Sequence, residues 1–151
     1  MKRVFTRLIF VLLFLFVGAQ VVRPARTNPP TDPGKSIYKT IEVPKDVQAI
    51  FDRSCRDCHS HNTTWPWYSN VAPMSWGVIN HVNEGRAHMN FSSWPPGAEE
   101  AGDLLDSTCK EVKQGRMPLG QYLLLHDEAK LTDADRKTLC DWANAAASKL
   151  Y

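Results

Sequence analysis

Cys55-Arg56-Asp57-Cys58-His59 closes a short amphipathic stretch, and its C-x-x-C-H spacing decides how the rest of the chain is read. Two thiols three positions apart can reach the two vinyl groups on one edge of a porphyrin. The adjacent histidine can then swing its imidazole under the iron. The motif points to one covalent c-type haem on Cys55 and Cys58, with His59 as an axial ligand. Paired cysteines also serve two other chemistries. A redox-active dithiol asks for a βαβ context, and no strand pattern precedes Cys55. A zinc site asks for well-separated ligand pairs. His59 and His61 are candidates to join the two thiols, but the four are packed too tightly in sequence for the usual spacing.

The N-terminus fits the compartment in which such attachment takes place. Lys2, Arg3 and Arg7 form a basic start, and Leu8 to Ala19 is almost wholly apolar. This is the pattern of a signal peptide, with small residues Val17-Gly18-Ala19 offering cleavage after Ala19. The competing expectation is a retained anchor. A full span needs about 20 apolar residues, and this run is interrupted at Gln20 and stopped at Arg23. In both cases the basic residues hold the N-terminus in the cytoplasm and deliver the domain to the periplasm, soluble or anchored to the inner membrane.

The 151 residues carry a net charge of +2. No basic patch with interleaved aromatics argues for nucleic acid. Residues 1–22 are read as signal peptide or anchor and 44–151 as one domain. Residues 23–43, with Pro24, Pro29, Pro30, Pro33 and Gly34, are read as an extended linker.

The domain reads as all-α. Pro44 sits at a first helical position, and Val47, Ile50 and Phe51 recur at helical spacing into the motif. A second helix is expected after Pro73, with Met74, Val78 and Val82 on one face, ending near Gly85. A third covers about 99–114, with Leu105, Cys109 and Val112 inward and Gly115 as cap. Thr132 and Asp135 resemble a capping box. They open a last helix whose Leu139, Trp142, Ala143 and Ala146 share a face. This order is similar to class I cytochromes c, in which a helix leading into the haem motif crosses an aromatic-bearing C-terminal helix.

Iron held by His59 has a second face. Met117 is the leading ligand for it, because Pro118 forces it out of helical geometry into a loop. Class I cytochromes c present their distal sulfur in a similar way. His81, His88 and an open or water-bound iron are the alternatives, and a gap-filling core role for Met117 stays open.

The residues that follow the motif form a distinctive ordered set. They include His61, Trp65-Pro66-Trp67-Tyr68, Pro73-Met74-Ser75-Trp76, His81, Arg86 and Asn90-Phe91-Ser92-Ser93-Trp94, with Met117-Pro118, Tyr122 and His126 downstream. Across residues 43–147 the chain resembles the haem-binding domain family of bacterial exported proteins, a small cytochrome-c-like group. The resemblance implies covalent haem on Cys55 and Cys58 with His59 axial, and it implies no particular redox partner. Trp65, Trp67 and Tyr68 are candidates for the dry wall of a haem pocket, or for ordinary packing. Arg86 is a candidate for a propionate, or a solvated surface residue.

Cys109 and Cys140 fall on the third and last helices. An oxidising compartment permits a bridge between them, and two separate buried thiols are the alternative. The function expected is electron transfer by a periplasmic monohaem cytochrome, not an enzyme, exchanging electrons with protein partners. Arg53, Arg56, Lys110, Lys113 and Arg116 are candidates for a basic rim facing an acidic partner. A peroxidase or a gas or redox sensor with a displaceable sixth ligand is the second expectation. Thiol–disulfide exchange is disfavoured, because haem attachment consumes both thiols.

Overall fold

A computed structural model describes residues 1–150. Among these the regular structure is helical throughout. The elements are α1 (Lys2–Ala19), α2 (Ile37–Thr40), α3 (Lys45–Ser54), α4 (Arg56–His59), α5 (Met74–His88), α6 (Ala98–Lys113), α7 (Gly120–Leu123) and α8 (Asp133–Ala147). Three 3-10 turns, at Pro33–Lys35, Trp67–Asn70 and Asp127–Ala129, punctuate the loops.

The core forms where α6, α8 and α3 meet. α6 buries Ala101, Leu105, Cys109 and Val112, and α8 buries Leu139, Cys140, Trp142 and Ala143. A Cys109–Cys140 disulfide joins these two faces, with Cα atoms 4.7 Å apart. α3 adds Val47, Ile50 and Phe51, and Phe51 meets Trp142 edge-on with ring centroids 5.4 Å apart. The helix before the motif therefore does contact the last helix, while the main partner of α8 is α6.

Local chemistry sets the helix ends. Pro44 is the N-cap residue of α3, one position outside the helix, in extended geometry. Thr132 and Asp135 make a complete capping box at the start of α8. Gly115, at φ 66°, ends α6 in the left-handed conformation that a side chain resists. Its N–H bonds the Val112 carbonyl and that of Arg116 bonds the Glu111 carbonyl, the paired bonds of a Schellman motif.

α5 departs from expectation in two ways. It runs three residues past Gly85, and its buried stripe is Ser75, Ile79, Val82 and Gly85, with Met74 43 % exposed. The stripe is turned away from Met74 because α5 lies against the C-x-x-C-H turn, and small residues there let the two backbones approach. A Cβ at Gly85 would lie 2.6 Å from the Cys58 carbonyl oxygen. Gly85 is thus a packing residue, and α5 ends instead at Met89, whose N–H bonds the Gly85 carbonyl.

The proline-rich stretch after α1 is extended, and it lies on the domain. Ile37 and Val43 within it are buried in the core. Upstream, the chain from Gln20 to Pro30 is hydrogen-bonded to the domain as a strap. Gln20 exchanges two bonds with the backbone of Ala72, and the Trp76 indole donates to the Val22 carbonyl. Asn28 donates to the Thr63 carbonyl, and the Thr27 carbonyl accepts from Arg86. No helix among the described residues is long and apolar enough to cross a membrane.

Candidate haem site

α3 and α4 abut at Cys55, so the motif occupies the junction of two helices. Cys55 and Cys58 are both unpaired and partly exposed. Burial, reinforced by each thiol's neighbour Cys58 or Asp57, pushes Cys55 up to about 12 and Cys58 up to about 11. Both are therefore neutral thiols at physiological pH. A dithiol exchanger works through a thiol whose pKa is lowered, and this environment does the opposite. Among the described residues no three His, Cys, Asp or Glu side chains gather where one metal ion would sit.

His59 is buried, 9 % exposed. Burial lowers its pKa, so the ring is held neutral, although the Met89 and Gly85 carbonyls oppose that shift. The Met89 carbonyl lies 3.1 Å from Nδ1. A neutral imidazole that donates through Nδ1 has Nε2 free as a metal ligand. The loop after α5 holds the residue from the other side as well: the Phe91 N–H donates to the His59 carbonyl at 2.7 Å. Nothing in the sequence pointed to this role for Met89 or Phe91. Their contribution is made by backbone atoms, which carry no residue signature.

The remaining candidates are distributed around the motif. Tyr68 is buried, and its hydroxyl lies 2.9 Å from His126 Nε2. Trp67 is 69 % exposed and meets Tyr68 edge-on, while Trp65 is half-buried. Arg86 uses Nε on the Ser60 carbonyl and its terminal nitrogens on Thr63 Oγ1, the Thr27 carbonyl and Asn28 Oδ1. The guanidinium thus ties the strap to the segment after the motif. His61 is held between the Pro30 carbonyl and Asn90. Met117 is half-buried, packed against the main core, and precedes a cis peptide to Pro118.

The loop that carries Met117 returns to the motif further along. The Tyr122 hydroxyl donates to Asp57 Oδ2 at 3.2 Å, and its ring stacks on His126 with centroids 4.0 Å apart. Burial and the Asp57 carboxylate push the Tyr122 hydroxyl well above the usual tyrosine range. His126 Nδ1 in turn faces Glu128 Oε1 at 3.0 Å. In the sequence Tyr122 and His126 stood in the resembling stretch, with His126 also among the histidines available to the iron. The bonds of Tyr122 to Asp57 and of His126 to Tyr68 each span more than fifty residues and have no local periodic signal.

Much of the expected basic rim is neutralised. Arg53 pairs with Asp135, Arg56 with Asp52, and Arg116 with Glu111.

The residues present fit a covalent haem. Two thiols and a buried imidazole lie within one turn, and the buried Arg56 Nε and Trp94 Nε1 have no hydrogen-bond partner. Buried donors are paired in the large majority of cases, and water or a bound group would supply the acceptor here. Comparison with known sequences agrees. The family model described as a haem-binding domain, Haem_bd, matches residues 14–145. The chain belongs to the haem-binding domain family. No curated protein and no solved structure matches it. The match to this haem-binding domain starts inside α1, so the strap falls within the family's own boundaries.

Proposed function

We propose that this haem-binding domain is a periplasmic c-type cytochrome that carries electrons. In this reading Cys55 and Cys58 form thioethers to a single haem c, His59 is the proximal ligand and Met117 the distal one. The observation that carries it is the state of His59: buried, neutral, and hydrogen-bonded through Nδ1 within a C-x-x-C-H turn. When bound, the haem supplies a one-electron couple that no side chain here can provide. The chain's own residues do the rest. The Met89 carbonyl fixes the tautomer and aim of His59. Phe91, whose ring centroid lies 6.2 Å from that of His59, and the buried Tyr68 give the site apolar surroundings. Gly85 lets α5 seat against Cys58, which fixes the angle at which the motif is presented.

The test is made on the mature protein from a host able to attach haem c. Acid denaturation and organic extraction are expected to leave the colour with the polypeptide, and the peptide holding Cys55 and Cys58 is expected to carry the mass of one haem. Colour that leaves with the solvent sinks covalent attachment. Met117→Ala is expected to abolish the weak sulfur-to-iron absorption at the red end of the ferric spectrum. Persistence of that band assigns the distal ligand elsewhere. Reduced native protein is expected to refuse carbon monoxide; prompt stoichiometric binding would instead favour a sensor or peroxidase with a displaceable sixth ligand.

A further inference from the structure

Between Pro118 and Ala129 no residue is buried. α7, which lies in this segment, buries none of its residues, and Leu124 and Leu125 after it are 80 % and 57 % exposed. The backbone bonds here are local. The Tyr122 and Leu123 N–H groups reach the Leu119 carbonyl, and the Leu125 N–H reaches that of Tyr122. A segment with so little apolar burial belongs to the low-stability end of a fold. It is nevertheless fastened at both ends. It leaves α6 through Met117, whose N–H bonds the Glu111 carbonyl. Beyond Pro118, among the described residues, three hydrogen bonds tie it to the rest of the domain, and all three use side chains.

The first is the bond from the Tyr122 hydroxyl to Asp57 Oδ2 at 3.2 Å. The other oxygen of that carboxylate accepts from the Thr64 N–H at 2.9 Å, so Asp57 is aimed from its own side of the contact. The second joins His126 Nε2 to the Tyr68 hydroxyl at 2.9 Å, with the His126 ring lying flat on Tyr122 at 12° between planes. His126 Nδ1 faces Glu128 Oε1. A carboxylate only accepts, so Nδ1 carries the proton, and in the neutral ring Nε2 accepts from Tyr68. The third runs from Arg53 Nε to the Glu128 carbonyl at 3.2 Å. Asp57 lies within the C-x-x-C-H motif, Arg53 lies just before it on α3, and Tyr68 is buried beyond it.

We propose that Tyr122, bonded to Asp57 and stacked on His126, is a latch that holds the Met117 segment against the haem motif, which makes Tyr122 a positioning residue for the distal ligand. The inference rests on Met117 being that ligand, as proposed above. The segment has the sulfur at one end and its fasteners at the other, and buried apolar surface supplies no second restraint between them. Thioether sulfur is a soft donor, so its hold on ferric iron depends on the chain that presents it. A latch of hydrogen bonds and one ring stack opens at modest cost. Closed, it keeps the sixth position filled, as an electron carrier requires. Open, it admits a small external ligand. Asp57, which takes no part in attaching the haem, thereby acts on the distal side.

The experiment uses the full chain with haem attached, in the ferric state, mixed with cyanide. Cyanide binds the iron once the sulfur has left, so at high cyanide the rate reads the opening of the segment. Tyr122→Phe keeps the ring on His126 and removes the hydroxyl. It is expected to raise that rate about three- to tenfold, the worth of one hydrogen bond. Tyr68→Phe, which releases His126, is expected to act in the same direction, and the double variant to exceed either. Asp57→Ala is expected to match Tyr122→Phe. Asp57→Asn is expected to stay near wild type, because its oxygen still accepts from Thr64 while its amide donates to the Tyr122 oxygen. Hydrogen exchange in peptides from 119–128 gives a second reading that needs no iron ligand: it is expected to quicken in Tyr122→Phe, with α3, α6 and α8 unchanged. If Met117→Ala abolishes the sulfur-to-iron band, yet Tyr122→Phe and the double variant leave cyanide rate and exchange unchanged, the latch is overturned and Met117 remains the ligand. A wild-type spectrum without that band, or one that Met117→Ala does not alter, overturns the distal assignment and this inference with it. Faster exchange throughout α3, α6 and α8 in Tyr122→Phe would make Tyr122 a general structural residue and overturn its positioning role.

Discussion

Gly85 sits directly on the backbone of Cys58. A methyl group at this position would meet the Cys58 carbonyl oxygen at 2.6 Å and its carbonyl carbon and Cβ at 3.1 Å. The first of these is backbone and cannot swing aside. Gly85→Ala would gain up to about 1 kcal/mol from helix propensity, and overpacking typically costs 1–3 kcal/mol. Because the clash is with a peptide group held in a helical turn, the expected net loss is about 1–2 kcal/mol. Denaturant melts of the haem-loaded protein would measure it. A neutral or stabilising result would mean that α5 and the motif are not locked together. Gly77→Ala, where a Cβ meets nothing within 4 Å, is the matched control and is expected to stabilise slightly.

Cys109–Cys140 closes a loop with a sequence separation of 31 between the two helices that make most of the core. In the chain-entropy account a loop of this length is worth about 3.5–4 kcal/mol. Cys109→Ala with Cys140→Ala removes that constraint, and both positions lie in the core, where alanine leaves a small void. Stability in denaturant melts is expected to fall by at least the chain-entropy figure. A loss below about 1 kcal/mol would show that packing of α6 on α8 is nearly sufficient alone.

The parts of the fold that were legible in the sequence are those written locally. The helices α3, α6 and α8 follow from apolar spacing such as Val47, Ile50, Phe51 and Leu105, Cys109, Val112. The ends follow from side chains and a glycine whose roles are short-range: Thr132 with Asp135, and Gly115. α5 was harder because its buried stripe is chosen by size. Ser75 and Gly85 face inward so that two backbones can touch, whereas Met74 looks apolar and is left outside. The strap was read as a linker because prolines exclude a periodic face. What holds it is a set of hydrogen bonds between residues more than thirty apart, such as Gln20 to Ala72, Thr27 to Arg86 and Asn28 to Thr63, and no spacing rule reports these. The C-x-x-C-H core of the site was fully legible. The carbonyl of Met89 that aims His59 was not, since any residue supplies a carbonyl.

Arg86 is the knot of the strap. It bonds the Ser60 carbonyl and Thr63 Oγ1 beside the motif, and the Thr27 carbonyl and Asn28 Oδ1 on the strap. Burial lowers its pKa, but a guanidinium so placed stays charged. Arg86→Lys keeps the charge and loses the fork, so it cannot reach both sides at once. The expected outcome for Arg86→Lys and Arg86→Ala alike is faster proteolysis within residues 21–32, with the haem still attached. If lysine protects the strap as well as arginine does, the charge and not the fork is what holds it.

Asp135 links two elements that flank the site. Its carboxylate accepts from the Thr132 N–H at 2.8 Å and from Thr132 Oγ1 at 2.7 Å, and it pairs with Arg53 of α3 at 2.6 Å. Burial acts to raise its pKa, yet the bonds from Thr132 and Arg53 outweigh that and hold it below the usual carboxylate value of 3.8. The sign of the linkage follows. The unfolded chain takes up this proton at a higher pH than the folded one does, so the contribution is fully present above about pH 4. It is lost as pH falls through the lower folded value. Asp135→Asn removes the charge at every pH and weakens the cap. The variant is expected to be less stable by about 1–2 kcal/mol at pH 7, a capping contribution of about 1 kcal/mol plus a partly exposed ion pair. The gap between wild type and variant is expected to narrow below pH 4. Melts at pH 7, 5 and 3 check this. A difference that stays constant across that range would place the whole effect in packing and none in the carboxylate's charge.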